Sequence, residues 1–487
     1  MFSNLRLSFS AAFAVVLSSG LAVAQPAEVP QDLTQPPAFA SEDVTIIPLD
    51  DMPVQSLAAT HLIDALRVTY QTNPEIQSAR QDLKAIIENV AVALSNYRPD
   101  ISASGSATTQ KTNPAPFGSP APNQQELGIA LSQPLYRGGR TDAAVKAADN
   151  RVLAQKALYD NLVQNVFSNV IAAYIGILQN EEVLSLRKNN ESVLELQLEA
   201  NRARFELGAT TLTDVSQAKS RLAAARAERL AASAELRSSQ AVFRRLTGLQ
   251  PSGLIMPEVN FTFVETLDNL KDTALEIHPA VRAAQYETIA RHSDSREILG
   301  QLLPELSLNG SVNRSFNPTF GTTTYIDNSR LTLNATVPLY LGGEARARYR
   351  QSKYNALSSR DEAHDVAREV EQNVVTAWEN LQAAKAQTQA RALQVEATDI
   401  AFEGVSAEQR NGARTTLDVL DAEQERFIAN VESVTAEFNV ITAKYDLLSA
   451  VGLLSPAHFG IDDDTENIIR FYNKTRSNWF GFETEVR

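Results

Sequence analysis

The 487-residue sequence contains no cysteine, which excludes disulfides, thiolate metal sites, cysteine nucleophiles and a lipid anchor on an N-terminal cysteine. It has only five histidines, His61, His278, His292, His364 and His458, and no two lie close together. Neither the ligand spacing of a metal site nor a Ser/His/Asp constellation is legible, so an enzyme is the weakest of the functional classes and no cofactor is called for. Positive charge is also short: 44 Lys and Arg face 58 Asp and Glu, a net charge of −14. Nucleic-acid binding draws its affinity from neutralised phosphates, and this balance argues against it. Long hydrophobic runs are missing after the N-terminus, so no later segment is expected to form a transmembrane helix.

The N-terminus has its own pattern. Arg6 precedes the short apolar run LSFSAAFAVVL, and small residues close it at Ala22-Val23-Ala24. Residues 1–24 are therefore expected to be a secretory signal peptide, since the run is too short and too serine-rich to span a bilayer. Residues 25–55, rich in proline and acid and without periodicity, are expected to be a flexible leader.

An internal repeat organises the rest. Asn73-Pro74 recurs as His278-Pro279 and Pro99 as Pro304, each 205 positions on. QPLYRGGR at 133–140 recurs as VPLYLGGE at 337–344, and RFELGATTLTDV at 204–215 as EQRNGARTTLDV at 408–419, both at an offset of 204. The one-residue slip falls between Pro99 and Pro134, where a tolerant surface loop is expected. Repeat 1 is placed at 56–265, repeat 2 at 266–454, and a tail without a twin at 455–487. Trp479, Phe480 and Phe482 in that tail either pack on the outside of the helices or stay disordered.

Periodicity changes in the same order within each repeat. Ile76, Ala79, Leu83, Ile86, Ile87, Val90 and Leu94 follow helical spacing up to Pro99. Alternation then takes over: Ile101, Ala103, Gly105 and Ala107 against serines and Thr108, and Leu127, Ile129 and Leu131 against small residues. Repeat 2 alternates in the same way at Leu306–Val312 and Leu331–Val337. This predicts strand pairs within 99–136 and 304–340, with strands of about ten residues. Such strands suit either a transmembrane β-barrel or a half-buried sheet in a soluble domain, and the pattern alone does not decide. In a membrane, four strands leave open edges, so several chains must share one barrel; three chains of four strands give twelve. Tyr136 and Tyr340, at matching strand ends, are candidates for an interfacial aromatic girdle.

Glycine pairs Gly138-Gly139 and Gly342-Gly343 mark strand-to-helix turns. From there helical periodicity is expected over 140–206 and 344–410, about 100 Å at ~1.5 Å per residue. Turns at Gly208 and Gly412 then return the chain as shorter helices at 212–247 and 414–451. The result is a rod of antiparallel helices, hollow or bundled, with strands at one end.

These residues resemble the TolC-type outer-membrane efflux and type I secretion channels of Gram-negative envelopes. The likeness rests on the duplicated strand pairs, the Pro-Leu-Tyr-x-Gly-Gly turns and the Gly-x-x-x-x-x-Asp-Val segments, and covers about residues 56–453. It implies a mainly α chain that trimerises into a twelve-stranded membrane β-barrel continuous with an α-helical coiled-coil barrel across the periplasm. It also implies partners: two further copies of the chain, outer-membrane lipid, a periplasmic adaptor protein, and an inner-membrane transporter of ABC, RND or MFS type. No catalysis is implied. The alternative is a structural or adhesive coiled-coil rod with no conducting lumen.

The resemblance further places Asp214, Arg414, Asp418 and Asp421 among positions whose ion pairs and hydrogen bonds hold the inner coils shut and form an acidic constriction. Gln409 stands where well-studied members carry tyrosine. From spacing alone, Asp418 and Asp421 share a helix face, and Arg414 is expected to pair with a neighbouring acid. Asp214 and Asp418 equally suit the first turn of a helix, where a carboxylate meets the positive dipole end.

Overall fold

The computed structural model describes residues 58–59, 61–111, 113, 123–257, 266–319 and 323–479, all within the compact unit Gln55–Arg487. The expected signal peptide and leader, most of the loop between Pro99 and Pro134 in which the length change was expected, and Phe480 and Phe482 lie outside these residues.

Each half runs helix, helix, strand, strand, long helix, shorter helix. The first comprises β1 (Ala58–Ala59), α1 (Leu62–Thr72), α2 (Pro74–Ser95), β2 (Asp100–Thr109), β3 (Asn123–Arg137), α3 (Arg140–Glu206), α4 (Leu212–Thr247) and β4 (Gln250–Pro251). The second comprises α5 (Leu267–Ile277), α6 (Pro279–Gly300), β5 (Glu305–Thr319), β6 (Thr323–Thr336), α7 (Glu344–Arg410) and α8 (Thr416–Val451). The repeated X-Pro pairs explain where α2 and α6 begin. Proline at the first helical position has no N–H to satisfy, and the preceding side chain caps the end. Asn73 accepts from the N–H groups of Glu75 and Ile76, and His278 Nδ1 accepts from Ala280 at 3.2 Å.

α3 and α7 are each 67 residues long. Contrary to the sequence expectation, α3 does contain a stretch long and apolar enough to cross a membrane, but half of it is buried within the fold. Phe167, Tyr174 and Ile177 on α3 are fully enclosed. They pack with Leu66, Ile76, Leu83 and Ile87 of α1 and α2, Phe243 of α4, and Tyr445 and Leu448 of α8 in one apolar cluster. Edge-to-face contacts link Tyr70 to Phe167 and Phe167 to Phe459, with ring centroids 6.3 and 6.1 Å apart. A second cluster joins α5 and α6 to α7 and α8 through Leu270, Val281, Val374, Leu381 and Leu447.

The tail forms a short 3-10 turn (Pro456–Phe459) and α9 (Thr465–Ser477), which fasten to the first half. Tyr472 Oη donates to Asp149 at 2.7 Å, Arg476 pairs with Asp149 at 3.1 Å, and Thr475 donates to Glu88 at 3.1 Å. Arg98 lies over the ring of Trp479, which remains 58% exposed.

The four long strands form one antiparallel sheet in the order β2-β3-β5-β6, so the central pairing joins the two repeats. The strands are longer than the expected ten residues except for β2: β3 and β5 have 15 and β6 has 14. Register sets the faces. Ile101 opposes Leu131, Leu131 opposes Gly310, and Gly310 opposes Leu331, so one apolar stripe crosses both repeats. Leu127, Ile129 and Leu333 share that face. Among the described residues no element covers it: Ile101 is 69% exposed and Leu331 73%.

The two tyrosines are not equivalent, as their matched sequence positions had suggested. Tyr136 lies within β3 and opposes Leu306 beyond a bulge at Pro134. Tyr340 lies past the end of β6, because β5 begins at Glu305, which pairs with Thr336 and leaves nothing for later residues to bond. Both rings are at least half exposed.

Gly138, Gly139, Gly342 and Gly343 occupy the strand-to-helix turns, all with left-handed φ. Gly138 has a second constraint: a Cβ there would meet the Gly300 carbonyl oxygen at 2.4 Å and Leu303 at 2.8 Å, whereas at Gly342 it would meet nothing. Gly138→Ala and Gly342→Ala should both suffer the ~1–2 kcal/mol left-handed penalty. The first should lose about 1–3 kcal/mol more through overpacking. Thermal unfolding in detergent checks the order; equal midpoints would contradict it.

Candidate functional site

The sequence-nominated acids gather where the long helices turn. Hairpin 1 joins α3 to α4 and hairpin 2 joins α7 to α8, and their turns are built alike. The N–H of Ala209 bonds the Arg204 carbonyl and that of Gly208 the Phe205 carbonyl, at 2.8 and 2.9 Å. Ala413 and Gly412 repeat the pattern on the carbonyls of Glu408 and Gln409, both at 3.0 Å. This is the Schellman geometry, with Gly208 and Gly412 at its left-handed position. Gln409 is half-buried at this turn.

Both return helices open with a reciprocal capping box. Thr211 Oγ1 accepts from the Asp214 N–H, while Asp214 Oδ2 accepts from the Thr211 N–H at 2.9 Å and from the Thr210 hydroxyl at 2.7 Å. Asp418 Oδ2 accepts from the N–H and hydroxyl of Thr415 at 2.9 and 2.8 Å. Because Thr415 is the cap, α8 starts at Thr416 rather than at 414, and Arg414 belongs to the turn. Hydrogen bonds to the ionised form favour it. The Thr211 hydroxyl first, then its N–H and the Thr210 hydroxyl, hold Asp214 below the usual carboxylate range. The N–H of Thr415, then its hydroxyl, does the same for Asp418.

Arg414 pairs with Glu408 across the turn, Nε to Oε2 at 2.8 Å, and that bond raises its already high pKa. Asp418 also attracts it, more weakly than Glu408 does. A six-residue step closes the turn and brings Glu408 opposite Arg414, while Asp418 is already engaged by its own cap. Asp421 has a partner on the other hairpin: Arg221 of α4 donates to its Oδ1 at 2.6 Å. Below this clasp Leu420 of α8 inserts among Leu194 and Leu198 of α3 and Ala218, Leu222 and Ala225 of α4. Farther from the tip, Arg187 of α3 lies 5.3 Å over the Phe427 ring of α8. Within hairpin 2, Arg426 lies 4.2 Å over the Phe402 ring.

Sequence reading missed Arg221 and Glu408. Both are ordinary charged residues on long helices, and only the three-dimensional meeting of the hairpins distinguishes them. Among the described residues, no group of three His, Asp or Glu converges as a metal site.

A sheet with an uncovered apolar face, joined through tight turns to helices about 100 Å long, defines the class of outer-membrane channels that extend into the periplasm. The chain belongs to the outer membrane efflux protein family, whose model matches residues 65–249 and 270–453. It is 31% identical to the outer membrane efflux protein BepC of Brucella suis biovar 1 over 88% of this chain and 93% of that protein. The identity with the outer membrane protein TolC of Vibrio cholerae is 25%, over 82% and 92%. The fold matches the solved outer membrane protein VceC of Vibrio cholerae with a TM-score of 0.71, at 18% identity over 80% of this chain and 96% of that one. The chain is thus a non-enzymatic protein of the outer membrane, extending into the periplasm.

The caps set a pH dependence. Asp214 and Asp418 have folded pKa values below their unfolded value of about 4, so their stabilisation is complete above that value and is lost as pH falls through the folded pKa. Amide protection at residues 204–216 and 408–420, taken relative to the intrinsic exchange rate at each pH, is expected to stay constant above about pH 4.5 and to fall below about pH 4. In Thr211→Val and Thr415→Val the tips should exchange faster at neutral pH, as the loss of a cap worth ~1 kcal/mol requires. Unchanged tip exchange in both variants would refute the assignment.

Proposed function

We propose that this chain is the exit duct of a tripartite efflux or type I secretion system, passively conducting cargo across periplasm and outer membrane and gated at the tips of its helix hairpins. The observation that carries the reading is the sheet. Its apolar face is uncovered, and its outer strands β2 and β6 each have a neighbour on one side only among the described residues. Lipid tolerates no open edge. A homotrimer joining β6 of one copy to β2 of the next closes a twelve-stranded wall, with the Ser/Thr/Asn face turned to a water-filled lumen. Tyr136 and Tyr340 then lie near the membrane boundary, where amphipathic rings settle.

The repeats at 56–265 and 266–454 supply the two hairpins of each copy. Around a threefold axis, Asp418 and Asp421 form an acidic constriction that attracts cations, as carboxylate rings do in cation channels. Asp214, Gln409 and the Arg414–Glu408 pair shape the tips, and the Arg221–Asp421 pair ties the two hairpins together. A periplasmic adaptor and an inner-membrane transporter of ABC, RND or MFS type would supply the energy and the opening force. The likeness to the efflux protein BepC favours efflux as the cargo route.

Purified protein in planar lipid bilayers should form ion-conducting pores that are mostly closed and cation-preferring; a structural rod would conduct nothing. Arg221→Ala should raise the open fraction by up to about fivefold, the limit set by an exposed pair worth ~1 kcal/mol. Arg414→Ser should also loosen the tip. Conducting pores whose opening is the same in wild type and both variants would contradict gating by these pairs.

A further inference from the structure

Among the described residues, buried side chains with an unpartnered polar atom occur at only a few positions, and three of them, Asn201, Ser406 and Glu423, lie near the hairpin tips. Asn201 is the most severe. Its residue is 0% exposed within a single chain, and neither Nδ2 nor Oδ1 has a hydrogen-bond partner. No neighbouring copy can reach it in this conformation, because it is already enclosed.

Its position gives the defect a consequence. Asn201 continues the Leu194–Leu198 face of α3 by one helical turn toward the tip, at the ordinary three- and four-residue spacing. That face packs against α4 and receives Leu420 of α8, so it belongs to the seam between the two hairpins. Hairpin 2 carries Val405 at the repeat-equivalent position, an apolar residue with no such penalty. Alongside the unpartnered atoms of Ser406 and Glu423, the seam near the tip therefore holds one wholly buried amide, which is desolvated as long as the hairpins stay together.

We propose that Asn201 is a built-in release device: its unsatisfied amide weakens the closed seam, and separation of the hairpins relieves it by admitting water. The proposal rests on the channel reading above and adds a residue and a direction to it. A buried amide without partners carries its full desolvation cost, whereas an apolar group of similar shape carries none. Each copy in a trimer contributes one such amide. Adaptor engagement would then have less closing energy to overcome than a wholly apolar seam would present.

The experiment compares Asn201→Val, which copies the residue of the other hairpin, with Asn201→Asp, which keeps the shape and deepens the penalty. Single-channel recording and thermal unfolding are applied to both variants and to wild type in the assembled state. Asn201→Val should lower the open fraction at least about fivefold while raising the unfolding midpoint, because the smallest such desolvation penalty is worth about that factor in an equilibrium. Asn201→Asp should move both readouts the other way; if it does not assemble, the valine variant alone decides. An open fraction in Asn201→Val equal to or above wild type would overturn the proposal, even with a raised midpoint. Wild-type protein that forms no pores would overturn the channel reading instead, so the two failures are distinguishable.

Discussion

The structure is governed by backbone hydrogen bonding at the rim of a sheet. β2 and β6 each present a row of amide and carbonyl groups with no partner strand on their outer side among the described residues. The flanking face is apolar and bare. In water such a sheet is an aggregation template, and in lipid it is inadmissible. The arrangement becomes stable only when the edges are consumed by other edges. Because the two hairpins pair with each other through β3 and β5, each chain offers one complementary pair of edges, which is what ring closure by identical copies requires.

The helical part answers a different constraint. A continuous helix of 67 residues has nowhere in a globular core to bury its whole length, and α3 is well buried only where the short helices, α8 and the tail wrap it. Toward the tips the cores thin to a small cluster of leucines and alanines around Leu420. Stability is thus concentrated midway along the rod and falls toward the hairpin ends, where caps, the turn-spanning Arg414–Glu408 pair and the inter-hairpin Arg221–Asp421 pair help hold the chain. Regions of low local stability are where moving parts of proteins are found. The tips combine that softness with charge.

Much of this was legible because the chain states it twice. The 204–205-residue offset, the proline pairs and the glycine turns fix the order of elements, and alternation in Leu306–Val312 and Leu331–Val337 identifies the strand faces. What the sequence concealed depends on neighbours far away along the chain. The unequal fates of Tyr136 and Tyr340 follow from where β5 begins, which no property of either tyrosine records. Arg221 meets Asp421 across 200 residues, and Arg414 turns to Glu408 because Asp418 is taken by its cap. The apolar window in α3 reads as a membrane span or a core helix alike until Phe167 and Tyr174 are seen enclosed. Asn201 likewise looks like an ordinary polar residue on a long helix until its surroundings close over it.

The central claim is that the free edges of the sheet are completed by copies of the same chain around an open axis. Native mass spectrometry of the complex extracted from outer membranes in mild detergent tests it most directly. Three copies of the mature chain per particle, and no stable monomer, is the predicted result. A folded monomer, or a particle whose copy number leaves a strand edge unpaired, would contradict the account.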